Sequence, residues 1–402
     1  MPVVLTMPSE SGDGRCRFRL GRCIDVLSVP DTLRPELFSM EHFSAYSHSA
    51  LPYRHVAVFR FSALGDVAMT VPVVYEVCRA YPGIRFTLFT KKTVAPLFVY
   101  PPDNLTVFPV DTKGRYRGFA GLWRLYRDMK SQGIDAIADL HNVLRTRVVG
   151  FFFAISGVKR AILDKGRVAK RRLVARKKPL PIQPLPTSFD RYRQVFARLG
   201  FETPKTFRSV FDDRHLPLPL PEGIESRREG EFWVGVAPFA KHEGKIYPLD
   251  RSESLVARLS QQEDCRVFLM GGGGEEADLL GGWAEKYPRV VSLAGKRLGF
   301  AVELSMMSRM TLVVSMDSAN MHLASMAGTP VVSVWGQTHP YAGFLGWRQS
   351  KENIIQLSDL SCRPCSIFGN KPCYRGDYAC MQELSVERIW NRVEEILRRE
   401  KK

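Results

Sequence analysis

At 402 residues, the chain is too long for one ordinary domain and about right for two of roughly 150–200 residues each. Its 45% hydrophobic and 25% charged residues exclude a disordered or collagen-like chain, and the longest apolar run, residues 148–155, is far short of the ~18 residues of a membrane-crossing helix. The net charge of +17 suits nucleic acid, anionic lipid or phosphorylated substrates as partners. The excess is local, because ten basic residues and one acid, Asp164, fall between residues 159 and 178, which therefore carry +9. Eight cysteines are too few for a disulfide-stapled secreted scaffold, and the first residues lack the charged-then-apolar pattern of a signal peptide, so a reducing cytoplasm is the expected setting.

Residues 1–53 mix Ser, Pro, Gly and scattered charge without a sustained period and read as a flexible or mis-started extension. Order is expected from a β-branched and aromatic strand at 55–61, a Gly-containing turn, and a helical segment running to residue 81. Strands are expected at 85–90, 105–110 and 134–140, with a helix at 122–130. The proline-dense run 179–186 is expected to be a loop. A second proline-rich segment, 216–221, followed by the polar 222–231, reads as the linker between a first domain, 54–220, and a second, 221–402.

Beyond it the alternation restarts, with strands expected at 232–237, 265–270, 312–315 and 331–335 and helices at 251–261, 275–287 and 318–327. A basic amphipathic helix at 386–399 could close across either domain. The fold class is therefore α/β: two tandem Rossmann-like, doubly wound domains facing across a cleft. Such sheets bind ligands at the carboxyl ends of their strands.

Three motifs fall at those ends. Ser62-Ala63-Leu64-Gly65-Asp66 follows the first strand, and its carboxylate either caps the helix or serves as general base toward an acceptor hydroxyl. Ser315-Met316-Asp317-Ser318-Ala319-Asn320-Met321-His322 is again strand, turn and helix. Its free amides suit a phosphate, while Asp317 suits sugar hydroxyls or a capping role. His322 reads as a packed residue that could also donate to a leaving phosphate. Lys241-His242-Glu243-Gly244-Lys245 carries two lysines toward the cleft, either solvated or beside a departing diphosphate. Gly271 and Gly272 permit close backbone approach to a ligand, but Glu276 stands where a dinucleotide fingerprint needs its third Gly. Ser62, Arg60, His141 and Arg145 are the acceptor-side candidates. Cys362, Cys365, Cys373 and Cys380 lie within 19 residues and could close a structural zinc site, with free buried thiols or redox pairing as alternatives.

Together these elements resemble the ADP-heptose:lipopolysaccharide heptosyltransferases, glycosyltransferase family 9, of GT-B architecture. The resemblance spans about residues 55–398. It rests on Ser-x-Leu-Gly-Asp at 62–66, Lys-x-Tyr-Pro at 245–248, and Val-Ser-x-Asp-Ser-x-x-x-His-Leu-Ala at 314–324. It implies Asp66 as catalytic base, Lys245 on the nucleotide diphosphate, Asp317 on the transferred sugar, and Ser318 and Ala319 presenting amides to phosphate. The chain departs from the family pattern at Tyr247, where Trp is usual, at Ser318-Ala319, where Thr-Gly is usual, and in its long front extension.

The reaction implied is an inverting transfer of a heptose or related sugar from an ADP-sugar to a lipopolysaccharide inner-core acceptor, with no cofactor required for catalysis. The lipid A/Kdo-type acceptor and an anionic membrane surface are the expected partners of the basic stretch, at the inner face of the cytoplasmic membrane. Nucleic acid is not expected, for want of aromatic interleaving or a binding motif. A nucleotide-sugar epimerase of similar build and a non-catalytic basic module binding anionic glycolipid or nucleic acid are the alternative readings.

Overall fold

The computed structural model describes residues 51–178, 180–212 and 214–401, and residues 51–402 form one compact unit. The expected extension lies outside the described residues up to residue 50. It ends sooner than expected, because Tyr53 is buried with its ring stacked 6.0 Å from Phe201.

In chain order the first half contains β1 (His55–Phe59), α1 (Leu64–Ala68), α2 (Val71–Ala80), β2 (Arg85–Lys91), β3 (Leu105–Val110), α3 (Gly118–Lys130), β4 (Ala136–Asp139), α4 (Leu144–Ile155), β5 (Lys159–Ile162), α5 (Arg167–Leu173) and α6 (Ser188–Ala197). The second half contains β6 (Phe232–Ala237), α7 (Leu249–Ser260), β7 (Cys265–Leu269), α8 (Glu275–Lys286), β8 (Val290–Ser292), α9 (Phe300–Ser308), β9 (Leu312–Met316), α10 (Ala319–Met326), β10 (Val331–Val334), β11 (Ile354–Ile355), α11 (Ala379–Gln382) and α12 (Val386–Glu400).

The strands form two sheets, β3-β2-β1-β4-β5 and β11-β10-β9-β6-β7-β8, in which every pairing is parallel. Their central strands are apolar runs buried on both faces, as a helix-covered parallel sheet requires: β1 reads His-Val-Ala-Val-Phe and β9 Leu-Val-Val-Ser-Met, without an exposed position.

Three apolar clusters make up the core. One lies within the first half and one within the second. The largest is shared, containing Val56 and Leu88 from the first sheet together with Val313 and Trp335 from the second half. Two separate cores, the expectation from length, thus become a core continuous between the halves.

Residues 180–186 form a loop as expected, while residue 179 lies outside the described residues. Segment 216–221 has neither helix nor strand, yet it is tied down. The Leu218 carbonyl accepts hydrogen bonds from Ser305 Oγ at 3.0 Å and from the Arg309 guanidinium at 2.6 Å. Helix α12 buries Ile389, Trp390 and Val393 in the cluster of the second half.

Candidate active site

Strand order reverses between β1 and β4 in one sheet and between β6 and β9 in the other, and ligands of such sheets gather at these switch points. After β1 the first turn of α1 carries Asp66, and the segments that follow β4, β6 and β9 carry His141, Lys245 and Asp317 respectively. The halves meet closely here: a Cβ built on Gly65 would lie 2.9 Å from the His322 ring and 3.5 Å from the Ala319 Cα. Only glycine lets α1 approach α10 so closely.

Two adjoining cavities share Asp66. The first, about 630 Å³, is lined by Gly65, Asp66, Lys241, Lys245, Asp317, Ser318, Ala319, Asn320 and His322 among others. The second, about 660 Å³, is lined by Arg60, Ser62, Asp66 and His141 together with Lys165, Arg167, Lys170 and Arg171. Beyond it a third, about 690 Å³, holds Asn142, Arg147, Lys165, Arg167, Arg172 and Lys178. The first is a mixed site with amides and lysines; the other two are strongly cationic.

Asp66 is oriented from behind. Its Oδ2 takes a 2.9 Å ion pair from Arg60 and a 3.3 Å hydrogen bond from the Ala63 amide, while Arg60 also donates to the Leu140 carbonyl. Among the described residues Oδ1 has no such partner, so one carboxylate oxygen keeps its lone pairs for a ligand. Across the cleft, Lys245 Nζ lies 2.9 Å from Asp317 Oδ2, and the same oxygen accepts from Thr338 Oγ1 at 2.7 Å. Ser318 is the N-cap of α10, but its hydroxyl makes no capping bond.

Burial pushes the His322 imidazole down to about 4, against the opposing pull of Asp317 and Asp66, and its Nδ1 has no hydrogen-bond partner among the described residues. It is neutral at pH 7 and packed. Burial, then the charge of Arg60, push His141 down to about 3. Lys170 is pushed down to about 8, first by burial and then by the charge of Arg191. That value leaves a cation only partly committed at neutral to mildly alkaline pH.

Most of the residues singled out from the sequence converge on the first two cavities. Gly271, Gly272 and Arg145 line neither. The Gly272 amide is occupied by the Glu276 carboxylate at 2.6 Å, so these glycines open α8 and leave Glu276 facing the cavity instead. Arg145 lies over the Phe61 ring, 5.8 Å from its centroid.

Sequence reasoning missed Phe344, Ile367, Phe368 and Asn370, which wall both cavities, because they sit on irregular loops without a period. It also missed that the basic stretch lines the cleft. Arg167, Lys170, Arg171 and Val174 line the second cavity, and their i, i+3, i+4, i+7 spacing is a helical face that could have been found.

The cysteine segment is part of this wall. Gly369, at φ +71, packs so tightly on Lys245 that a Cβ there would lie 2.5 Å from Cγ of the lysine. Cys362, Cys365, Cys373 and Cys380 are free thiols. Among the described residues no group of three or more His, Cys, Asp or Glu side chains is arranged to hold a metal ion.

Two parallel sheets whose switch points face each other over one cleft are the architecture of the GT-B glycosyltransferases. Solved structures share it. Over 86% of this chain and 97% of theirs, a family 9 glycosyl transferase from Veillonella parvula superposes with a TM-score of 0.64 at 18% identity. The heptosyltransferase WaaC of E. coli solved with ADP superposes over 85% of this chain and 99% of its own, with a TM-score of 0.60 at 18% identity. The model of glycosyltransferase family 9 (heptosyltransferase) matches residues 122–371, and the chain belongs to that family. It is a glycosyltransferase, which favours neither the epimerase nor the non-catalytic module. Among curated relatives, lipopolysaccharide heptosyltransferase 1 of Pseudomonas aeruginosa is 26% identical over 77% of this chain and 85% of its own length. The enzyme of the same name from Escherichia coli K12 is 23% identical over 75% and 96%.

Proposed function

We propose that the protein transfers a heptose, or a closely related sugar, from an ADP-sugar to a lipopolysaccharide inner-core acceptor. The observation that carries this reading is the position of Asp66, the one carboxylate common to the two cavities described above. The cavity with Lys241, Lys245, Asp317 and the start of α10 suits the nucleotide sugar. The arginine- and lysine-lined cavity suits an acidic, phosphorylated acceptor of the lipid A/Kdo type. The names of the curated relatives and the ADP in the WaaC structure support the same choice.

In this reading Asp66 accepts the proton of the acceptor hydroxyl as that oxygen bonds to the anomeric carbon. The bond from that carbon to the diphosphate breaks, and its electron pair leaves on the diphosphate oxygen. Lys245 and the amides of Ser318 and Ala319 stabilise the charge that develops there. Asp317 holds the sugar hydroxyls, and attack opposite the leaving group inverts the anomeric centre. Residues 54–220 form the acceptor-binding half and 221–402 the donor-binding half. Ser62, Arg60 and His141 lie on the acceptor side, and the basic stretch at 159–178 holds the enzyme at the anionic inner face of the cytoplasmic membrane. Among the described residues no helix is long and apolar enough to cross a membrane.

A structural zinc on Cys362, Cys365, Cys373 and Cys380 is part of the proposal, although the four thiols are not arranged as a metal site in this structure and would have to draw together to bind it. Its support is Arg363, a buried guanidinium that donates to the carbonyls of Trp335, Gly336, Leu357 and Thr338 and to Gln356. No carboxylate pairs with it among the described residues, and thiolates bound to a metal would supply the missing negative charge. Elemental analysis of the purified protein tests this part, and a metal-free, fully folded protein removes it.

The main reading is tested by calorimetric titration with ADP, UDP, GDP and CDP, without metal and then with Mg²⁺. Metal-independent binding selective for ADP supports it. Preference for another nucleotide replaces the donor, and binding of none removes the nucleotide-sugar reading.

A further inference from the structure

Helices α3 and α4 pack against each other on the first sheet and leave their outward face strongly apolar. Phe119 and Trp123 stand one turn apart on α3 at 68% and 45% exposure; Phe151 and Ile155 stand one turn apart on α4 at 57% and 73%. These are not scattered single residues. The Phe152 ring, between the helices, lies 4.9 Å from Trp123, 6.1 Å from Phe119 and 6.2 Å from Phe151. The rings form one aromatic ridge over the buried Tyr126 and Phe153. Nothing in the cleft chemistry uses them, and a contiguous exposed apolar patch of this kind marks an interaction surface.

The charge around the ridge is of one sign. Helix α4 carries Arg145 and Arg147 and no acid, and α3 carries exposed Arg124, Arg127 and Lys130. The one acid of α3, Asp128, is engaged by Arg115 at 2.9 Å and by the Tyr116 hydroxyl at 2.8 Å. Aromatic side chains rimmed by arginine and lysine are the composition of an element that lies in a bilayer interface: rings at the headgroup boundary, cations against anionic lipid. A second copy of the chain seated on the same face would set these positive rims against each other, which disfavours a symmetric dimer there.

We infer that the outward face of α3 and α4 docks on an anionic bilayer and inserts Phe119, Trp123, Phe151 and Ile155 into its interface. Arg147, in the first turn of α4, also lines the outermost cationic cavity, so the docked face is continuous with the side of the site assigned to the acceptor. The inference rests on the proposal of an anionic membrane partner and supplies the apolar anchor that a basic stretch alone lacks.

The chain contains its own probe. Of its six tryptophans, Trp123 is exposed, whereas Trp233, Trp283, Trp335, Trp347 and Trp390 are buried. The full-length protein is mixed with phosphatidylethanolamine/phosphatidylglycerol vesicles or with pure phosphatidylcholine vesicles, some with brominated acyl chains. Pelleting and tryptophan emission are then followed. With anionic vesicles the emission shifts to the blue and is quenched by bromine, and Trp123→Phe abolishes both changes. Combined replacement Phe119→Ser, Phe151→Ser and Ile155→Ser weakens pelleting about tenfold or more at an unchanged melting temperature. Pelleting of wild type and triple variant to the same extent, with Trp123 unquenched, overturns the inference and leaves the basic stretch as the membrane contact. Failure of the wild type to pellet at all removes both. Vesicle-independent dissociation of a dimer by the triple variant assigns the face to a second copy and likewise overturns the inference.

Discussion

Lys245 and Asp317 approach each other from separate loops to 2.9 Å and bury their charges together, with Thr338 bonded to the same carboxylate oxygen. The lysine therefore has two tasks, which substitution can separate. Removing one partner of a buried pair costs about 3–5 kcal/mol, so Lys245→Ala lowers the melting temperature as well as nucleotide affinity. Adding Asp317→Asn removes the stranded charge. The double variant is expected to regain most of the stability but no ADP binding, as read by thermal melts and calorimetry. Recovery of ADP binding would assign Lys245 a purely structural role.

Asp66→Asn retains the shape of the side chain and loses its basicity. General-base catalysis contributes on the order of 10²–10⁴ in rate, and a loss of kcat in that range is expected with ADP affinity unchanged by calorimetry. Activity within a few-fold of wild type would limit Asp66 to partnering Arg60.

At Gly65 the obstacle is steric, not conformational. Gly65→Ala places a methyl group 2.9 Å from the His322 ring, and overpacking of this kind costs about 1–3 kcal/mol. Thermal unfolding should show that loss, and adding His322→Ala should return part of it. A neutral single variant would mean that α1 and α10 separate without cost.

Lys170 loses its charge as pH rises through about 8. Acceptor binding to the cationic cavity should then weaken, so KM for the acceptor rises through that range while KM for the donor does not. Lys170→Gln removes the dependence, raising KM below pH 8 to the value that wild type reaches only above it. A pH profile unaltered by Lys170→Gln would show that the lysine does not face the acceptor.

The buried histidines predict acid sensitivity. His322, His141 and His339 are pushed down to about 4, 3 and 4, chiefly by burial, whereas each takes up a proton near pH 6.5 in the unfolded chain. The unfolded state therefore binds more protons between those limits. Stability present above pH 6.5 is lost as pH falls toward 4, on the order of 3 kcal/mol for His322. Melting temperature measured from pH 8 to pH 4 should fall along that limb and flatten in His322→Asn.

The central strands could be read from the sequence because burial on both faces leaves nearly unbroken apolar runs, as in β1, β6 and β9. The edges could not. In β5 only Ala161 is fully buried between charged and half-exposed neighbours, and β8 has three residues, so neither shows a run or an alternation. Helix α4 is apolar nearly all round, which hid its period: Phe151 faces outward while Phe153 is buried. In the site, turns tied to strand ends placed Asp66, Lys245 and Asp317 correctly at the cleft. Phe344, Phe368 and Asn370 escaped because long-range packing alone brings their loops to it. The two motif glycines at 271 and 272 line neither of the cavities that share Asp66, and a helix start needs the same residues as a ligand cradle.

The apolar cluster that runs from Val56 to Trp335 through both sheets also has a thermodynamic meaning. Halves that share a core cannot melt one after the other, because unfolding either exposes the apolar surface of its neighbour. The described chain should therefore lose its structure cooperatively, in a single transition, and a defect in one sheet will be felt as lost stability in the sheet across the cleft.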